Sequence, residues 1–253
     1  MTNRTKGIIA AAVVIVALLA VGVWYFYLRD DAPEAVNLEA ATEQLTSTTA
    51  DGGDGAGTGS TDTTQAAPAG IEGTWVVDNE SGDFNLETAT GSFAGFRVEE
   101  ELASIGATTA VGRTDDVTGS ITITGNTLES ADLEVDLTQI VTDQSRRDSR
   151  VQDALETEQF PTATFVLTEP IDLGPGAAEG DAVSVDATGD LTIHGVTNAV
   201  TVALEAQLVD GTPVVIGSIP IVFSDFGVEA PTAPVVLSVS DEGTVEFQLL
   251  FAR

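Results

Sequence analysis

The sequence predicts an all-β domain of antiparallel strands, with one short helix and a single transmembrane helix before it. Three observations lead to this prediction. Apolar and polar residues alternate in several runs after residue 70, which places the apolar side chains on one face of each strand. Turn signals such as Gly125-Asn126 and Asp210-Gly211 separate the runs at hairpin distances. An uncharged apolar stretch lies near the N-terminus.

The first segments of the chain predict a membrane anchor. Residues 1–7 carry two positive charges and no acid, and residues 8–28 carry no charge. A helix of that length spans roughly 30 Å, enough for a bilayer core. The positive-inside rule then puts residues 1–7 in the cytoplasm and the remainder outside. A cleaved signal peptide is the alternative, but its apolar core is shorter, and Arg29 stands where cleavage would be expected. The sequence therefore predicts an uncleaved signal anchor in a single-pass cell-membrane protein with an extracytoplasmic C-terminal domain.

Residues 29–70 are predicted to be a flexible acidic linker. They are rich in Ala, Thr, Gly, Ser and Asp, lack periodicity, and look too polar to bury anything. As a flexible coil, this linker would have a root-mean-square reach of roughly 35 Å.

Residues 71–253 are predicted to form one β-domain. One-sided apolar strands joined by short turns are antiparallel, and this number of strands forms either a closed barrel or a sandwich. Leu133, Val135 and Leu137 illustrate the alternation. The predicted strands are residues 74–78, 92–102, 116–124, 128–141, 162–168, 182–194, 199–208, 213–223, 235–240 and 244–251.

Composition excludes several classes of function. The net charge of −31 and pI near 4.1 argue against nucleic-acid binding and against general adhesion to anionic headgroups. The chain has no cysteine, which excludes disulfides, thiolate catalysis, Cys-ligated zinc and an acylated lipoprotein cysteine. His194 is the only histidine, and no serine-nucleophile motif accompanies it. The sequence therefore predicts no enzyme, no catalytic residues, no metal site and no cofactor.

The one predicted helix of the β-domain spans residues 145–156. Ser145 and Asp148 have capping-box spacing, and Val151 and Leu155 form a narrow apolar stripe. Three of the nine Lys/Arg residues lie on this helix, namely Arg146, Arg147 and Arg150. They are interpreted either as a solvated face or structural brace, or as a clamp on a charged headgroup at a barrel mouth.

Several motifs, in order, resemble the YceI-like family of lipocalin-type isoprenoid-binding proteins. They are Thr-Trp-Val-Val-Asp at 74–78, Arg-Asp at 147–148 with Phe-Pro-Thr-Ala-Thr-Phe at 160–165, Gly-Asp-Leu-Thr-Ile-His-Gly-Val-Thr at 189–197, and Ser-Asp-Phe-Gly-Val at 224–228. The resemblance implies an antiparallel lipocalin-like β-barrel whose long apolar pocket holds a polyisoprenoid or similar amphiphile outside the cytoplasm. Where the family tends to have arginine before the last motif, this chain has Phe223.

With this resemblance, the sequence predicts a membrane-tethered extracytoplasmic protein that holds a polyisoprenoid, quinone or similar amphiphile in an apolar barrel cavity. A bound isoprenoid or quinone lipid would be its one cofactor-like group. Its partners would be an isoprenoid-type lipid and, through residues 8–28, the membrane; a homodimer is a further alternative, and nucleic acid is excluded. A non-enzymatic interaction or structural domain without a ligand is the alternative function, and a hydrolase would need a nucleophile besides His194. The candidate ligand-binding residues are Phe93, Phe96, Arg147, Phe160, Phe165, Ile193, His194 and Phe226.

Overall fold

A computed structural model describes residues 32–51, 70–103, 106–231 and 236–253 of the chain. The predicted cytoplasmic segment 1–7 and the predicted span 8–28 lie outside these ranges. Within the described ranges, no helix has both the length and the apolar character needed to cross a bilayer.

The described elements are two α-helices, twelve strands and three short 3-10 turns. In chain order the helices and strands are α1 (Leu38–Asp51), β1 (Gly73–Val77), β2 (Phe93–Leu102), β3 (Gly106–Thr114), β4 (Val117–Thr124), β5 (Thr127–Asp136), β6 (Val141–Thr142), α2 (Ser145–Ala154), β7 (Thr162–Leu167), β8 (Ile171–Asp172), β9 (Val183–Ile193), β10 (Val196–Val209), β11 (Thr212–Val222) and β12 (Val236–Ala252).

Eight strands close into a barrel. The order is β1-β4-β5-β7-β9-β10-β11-β12, and pairing of β1 with β12 completes the circle. All paired strands are antiparallel, and β2, β3 and β6 continue the sheet beyond β12. The predicted all-β antiparallel barrel is therefore confirmed. One end of the barrel carries α2, the β9–β10 turn and the connection from β11 to β12, and we call it the mouth end.

Several strand bounds differ from prediction, and β10 begins at Val196 rather than at residue 199. The predicted strand 128–141 ends at Asp136, because that carboxylate accepts hydrogen bonds from Thr138 and starts a 3-10 turn. The two predicted strands 235–240 and 244–251 form the single strand β12, which absorbs register shifts against β2. β3 was not predicted.

Phenylalanine rings facing strand glycines narrow the barrel. Phe96 is the register partner of Gly112, and Phe247 is the partner of Gly217. A Cβ at either glycine would collide with the facing ring. The glycines thus leave room for these large rings against the facing strands.

Helix α2 is two residues shorter than predicted, and its capping box does not form. Gln144 is the N-cap residue, and its side chain makes no capping bond. Asp148 instead accepts hydrogen bonds from the backbone N–H and the hydroxyl of Thr142, at 2.9 and 2.6 Å. The carboxylate therefore ties α2 to β6 rather than capping its own helix. Val151 is buried against the core, as the apolar stripe predicted.

The prediction of a flexible linker is wrong for residues 32–51, which we call the strap. Arg97 donates to the Pro33 carbonyl at 2.6 Å, and Arg113 donates to the Glu34 carbonyl at 2.8 Å. Helix α1 follows and buries Leu38 and Ala41 on the outer face of the barrel. Their neighbours in this second apolar cluster are Val214, Ile216 and Leu250. The strap is held in place by apolar contacts and by two hydrogen bonds to its carbonyl groups, all from strands distant in sequence.

We expect Leu38→Ala to lower the free energy of unfolding by about 1.5 kcal/mol, because a buried leucine side chain would be lost from this cluster. Amide exchange should accelerate in residues 32–43 and stay unchanged in β9. Glu39→Ala on the exposed face of α1 is the matched control and should leave both quantities unchanged. Equal exchange rates in the two variants would contradict the docked strap.

Candidate ligand-binding site

The barrel encloses an apolar cavity of about 160 Å³, the interior cavity. Among the described residues, Thr164 is the one polar side chain on its wall. Period-two alternation explains this wall, because each strand turns every second side chain inward. Apolar lining residues include Val117, Ile121, Leu133, Phe165, Leu191, Ile193, Val202, Phe226, Phe247 and Phe251.

A second cavity of about 380 Å³ lies at the mouth end, between α2, the upper half of β2 and the start of β12. We call it the mouth cavity. Its apolar wall includes Val98, Leu102 and Val151. Its polar wall consists of Glu100, Gln144, Arg146, Arg147 and Arg150. The cavity therefore combines an apolar floor with a charged rim, which suits an amphiphilic molecule.

Four apolar residues separate the two cavities. Phe96, Leu155, Phe223 and Val228 line both of them. Phe223 lies so close to Gly243 that a Cβ there would collide with its ring. The two cavities therefore adjoin at these four shared apolar residues.

Arg147 is held in place by two carboxylates. Its guanidinium bonds Asp143 at 2.5 Å and also bonds Glu100 on β2. The side chains of Arg147 and Glu100 are only 14% and 5% exposed. Asp143 in turn accepts the backbone N–H of Val111 on β3 at 3.1 Å. The network fastens α2 to β2 and β3, so Arg147 acts as a brace of the mouth cavity while also lining it.

The structure brings most of the predicted site residues to the two cavities. Phe165, Ile193 and Phe226 line the interior cavity, Phe96 lines both cavities, and Arg147 lines the mouth cavity. Phe93, Phe160 and His194 line neither.

Phe93 faces the outside of the sheet because it has the opposite parity to Phe96 on the same strand. The guanidinium of Arg113 lies 4.5 Å from its ring centroid. The expectation that Phe93 lines the ligand cavity is therefore corrected. Alternation along β2 could have shown this, because residues 93 and 96 fall on opposite faces of the strand.

His194 belongs to the β9–β10 turn, and Phe160, from the segment between α2 and β7, packs against that turn rather than lining a cavity. His194 has a φ of +54° and Gly195 follows at +73°, the left-handed geometry of a tight hairpin turn. The His194 ring packs edge-on against Phe160, with centroids 4.6 Å apart, and its Nδ1 lies 3.3 Å from the Phe226 carbonyl. Its Nε2 lies 3.7 Å from the Glu156 carboxylate, beyond hydrogen-bonding distance. These contacts give His194 a structural role.

Sequence reasoning missed the residues that shape the mouth. Val98, Glu100 and Leu102 continue the inward parity of Phe96, so alternation along β2 would have found them. Phe223 and Val228 carry no such signal, because Phe223 begins the 3-10 turn after β11 and Val228 follows that turn, where strand alternation has ended.

Comparison with known proteins identifies the family. The YceI-like domain matches residues 75–251, most of the chain. The chain belongs to the YceI-like family. This YceI-like chain is 30% identical to protein YceI of Escherichia coli over 122 residues, which are 47% of this chain and 56% of that protein. It is 28% identical to a UPF0312 protein of Vibrio vulnificus over 109 residues, which are 42% of this chain and 54% of that protein. The chain thus spans about half the length of these curated relatives.

Among solved structures, this YceI-like chain is similar to a polyisoprenoid binding domain from Saccharophagus degradans. The TM-score is 0.51 at 23% sequence identity, covering 72% of this chain and 98% of that domain. At this level of sequence identity, the similarity shows that the two proteins share a fold.

Proposed function

We propose that this chain is a membrane-tethered, extracytoplasmic protein that holds a polyisoprenoid, quinone or similar amphiphile in its barrel. The observation that carries the proposal is the pair of adjoining cavities, apolar inside and charged at the rim. The similar domain from Saccharophagus degradans is described as polyisoprenoid binding, which favours an isoprenoid chain as the ligand.

The cavity sizes favour a ligand whose chain lies mainly in the mouth cavity and reaches past the shared residues Phe96 and Phe223 into the barrel. The mouth cavity, at about 380 Å³, falls in the usual range of roughly 300–1,000 Å³ for small-molecule sites, whereas the interior cavity of about 160 Å³ is below it. We infer that the chain of the ligand occupies the mouth cavity and that its tip enters the barrel. The headgroup would then lie beside Arg146 and Arg150 on the rim.

The distribution of polar groups around the two cavities favours binding of a ligand without a catalysed reaction. Arg147 at the mouth is paired with Glu100 and Asp143, and Thr164 is the one polar side chain on the interior wall among the residues that the structure describes. His194 lies outside both cavities. We therefore propose carriage or storage of the lipid rather than its conversion.

The proposal is tested on residues 30–253, which retain the strap and the barrel. The protein is incubated with a labelled polyprenol or ubiquinone, and retention of the label after gel filtration is measured. Saturable retention of one lipid per chain is expected. Absence of both co-purified and added lipid would overturn the proposal and leave the ligand-free interaction domain.

Ala154→Trp is expected to weaken lipid retention at least tenfold, because an indole placed on α2 would occupy much of the mouth cavity. Ser149→Trp is the matched control, since it adds the same side chain to an exposed position of the same helix outside the lining. Retention should be unchanged in this control. Equal retention in the two variants would show that the ligand does not use the mouth cavity.

A further inference from the structure

The strap contacts the barrel in a fixed order. Pro33 meets Arg97 first, and Glu34 meets Arg113 next. Leu38 and Ala41 then pack against the cluster that contains Leu250. The strap therefore crosses the outer face of the barrel in a defined direction.

The strand register gives that direction. β12 begins at the mouth end with Val236 and ends at the opposite end with Ala252. Arg97 lies at the level of Thr244, and Arg113 lies at the level of Glu246 through Gly95. Both guanidiniums lie at the Glu246 carboxylate, at 3.7 and 2.7 Å. The contacts of the strap thus move from the level of residue 246 to that of residue 250, about 13 Å along the strand. The strap therefore runs away from the mouth, and its first described residues are the ones nearest the mouth end.

The predicted membrane span ends only five residues before the first contact. The span ends at Leu28, and the Pro33 carbonyl is already bonded to Arg97. Five residues reach at most about 18 Å. The rim of the mouth lies a similar distance from Arg97, because β2 continues for five residues to Leu102, about 17 Å. The tether is therefore too short to let the barrel turn its mouth far from the bilayer.

The surface at the mouth has the chemistry of a lipid contact. Leu237 is the most exposed of the large hydrophobic residues in the described ranges, at 64%. Arg146 and Arg150 are exposed on α2 at the same end. Exposed acids lie at this end too, among them Glu99 and Glu101 on β2 and Glu229 in the connection from β11 to β12. The exposed apolar side chain therefore supplies the contact with the bilayer, and the two arginines supply donors for lipid phosphates.

We propose that the strap holds the barrel with its mouth against the outer surface of the membrane, so that the ligand passes between the bilayer and the mouth cavity. The partner of this surface is the lipid bilayer in which the chain is anchored. The inference rests on the proposed function, because that function identifies the lipid that would pass through the mouth. It also rests on the predicted anchor, which would place the membrane next to the strap.

The orientation is measured on the full chain in nanodiscs of neutral and anionic lipid. The chain has no cysteine, so single cysteines can carry a fluorophore. Leu237→Cys reports on the mouth, and Thr124→Cys, exposed at the β4–β5 turn, reports on the opposite end. Lipids with a nitroxide on the headgroup should quench the Leu237→Cys probe at least threefold more than the Thr124→Cys probe. Equal quenching, or stronger quenching at residue 124, would overturn the proposal.

A lengthened tether provides the second arm. Fifteen Gly-Ser residues inserted between residues 30 and 31 should abolish the difference in quenching, because the strap would no longer be held at the surface. Lipid transfer from vesicles should slow several-fold, while retention of lipid supplied in solution should be unchanged. A quenching difference and a transfer rate unaffected by the insertion would overturn the proposed role of the short tether. Loss of lipid retention in every variant, with the quenching difference intact, would instead overturn the proposed function and leave the orientation standing.

Discussion

Replacement of Arg113 by methionine is expected to lower the free energy of unfolding by about 3–5 kcal/mol. The Nε and Nη2 atoms of Arg113 both bond one oxygen of Glu246, at 3.0 and 2.7 Å. Glu246 is 1% exposed, so the substitution would leave a buried carboxylate without its main counter-charge. Arg97, at 3.7 Å, is the remaining cation near that carboxylate among the described residues.

The same substitution removes the donors that hold two loops. Arg113 also donates to the carbonyls of Glu34 in the strap and Leu86 in the loop before β2. Their loss should loosen the strap as well as the sheet, and amide exchange of residues 32–43 should accelerate.

Two control variants show whether the loss of stability comes from the unpaired buried charge of Glu246 or from lost packing around Arg113. Arg113→Met combined with Glu246→Met should recover most of the stability, because replacing both members of a buried ion pair by apolar groups is often nearly neutral. Arg253→Met removes an exposed arginine that stacks on Trp75 at 4.2 Å and should cost less than about 1 kcal/mol. Denaturant unfolding measures all three variants. A double variant less stable than Arg113→Met would contradict this explanation.

The barrel could be predicted from sequence wherever strands are buried on one face only. β9 and β10 alternate clearly because their outer faces meet solvent. β3 escaped prediction because its second half is buried on both faces and consists largely of Ala, Thr, Gly and Val. Period-two alternation disappears when both faces of a strand are covered, so no local signal marked this strand.

The strap could not be predicted because its partners are distant in sequence. Leu38 is one of few apolar residues in a segment dominated by Ala, Thr and Glu. Its neighbours Val214 and Leu250 lie on the last two strands, on faces that alternation alone assigns to solvent. The composition of the strap shows only that it has few apolar residues of its own. Its docking depends on the apolar residues that the outer face of the barrel leaves exposed to it.

The cavity wall followed from alternation, but the role of the helix arginines did not. Glu100 is the middle of three consecutive glutamates and lies 47 residues before Arg147. Inward parity along β2 selects Glu100 among the three. The position of α2 over β2 decides which arginine reaches it, and that position depends on tertiary packing.

Arg147→Ala is expected to lower the free energy of unfolding by about 3 kcal/mol. The substitution leaves Glu100 without its charge partner in a site where that side chain is 5% exposed. It also releases Asp143, so the connection of α2 to β3 is weakened. Part of the lost interaction is recovered by water, because the Arg147 side chain is itself 14% exposed.

Arg146→Ala distinguishes a brace from a headgroup clamp. Arg146 is exposed on the same helix and lines the same cavity, so its removal should change stability by less than about 0.5 kcal/mol. If Arg147 is the brace, Arg147→Ala combined with Glu100→Gln should regain stability, because the uncompensated charge is removed, and lipid retention at a temperature well below unfolding should stay close to normal. A clamp would give the reverse pattern, with normal stability and lost retention in Arg147→Ala. Since both carboxylates already occupy the Arg147 guanidinium, we expect the brace, and any charged headgroup should depend instead on Arg146.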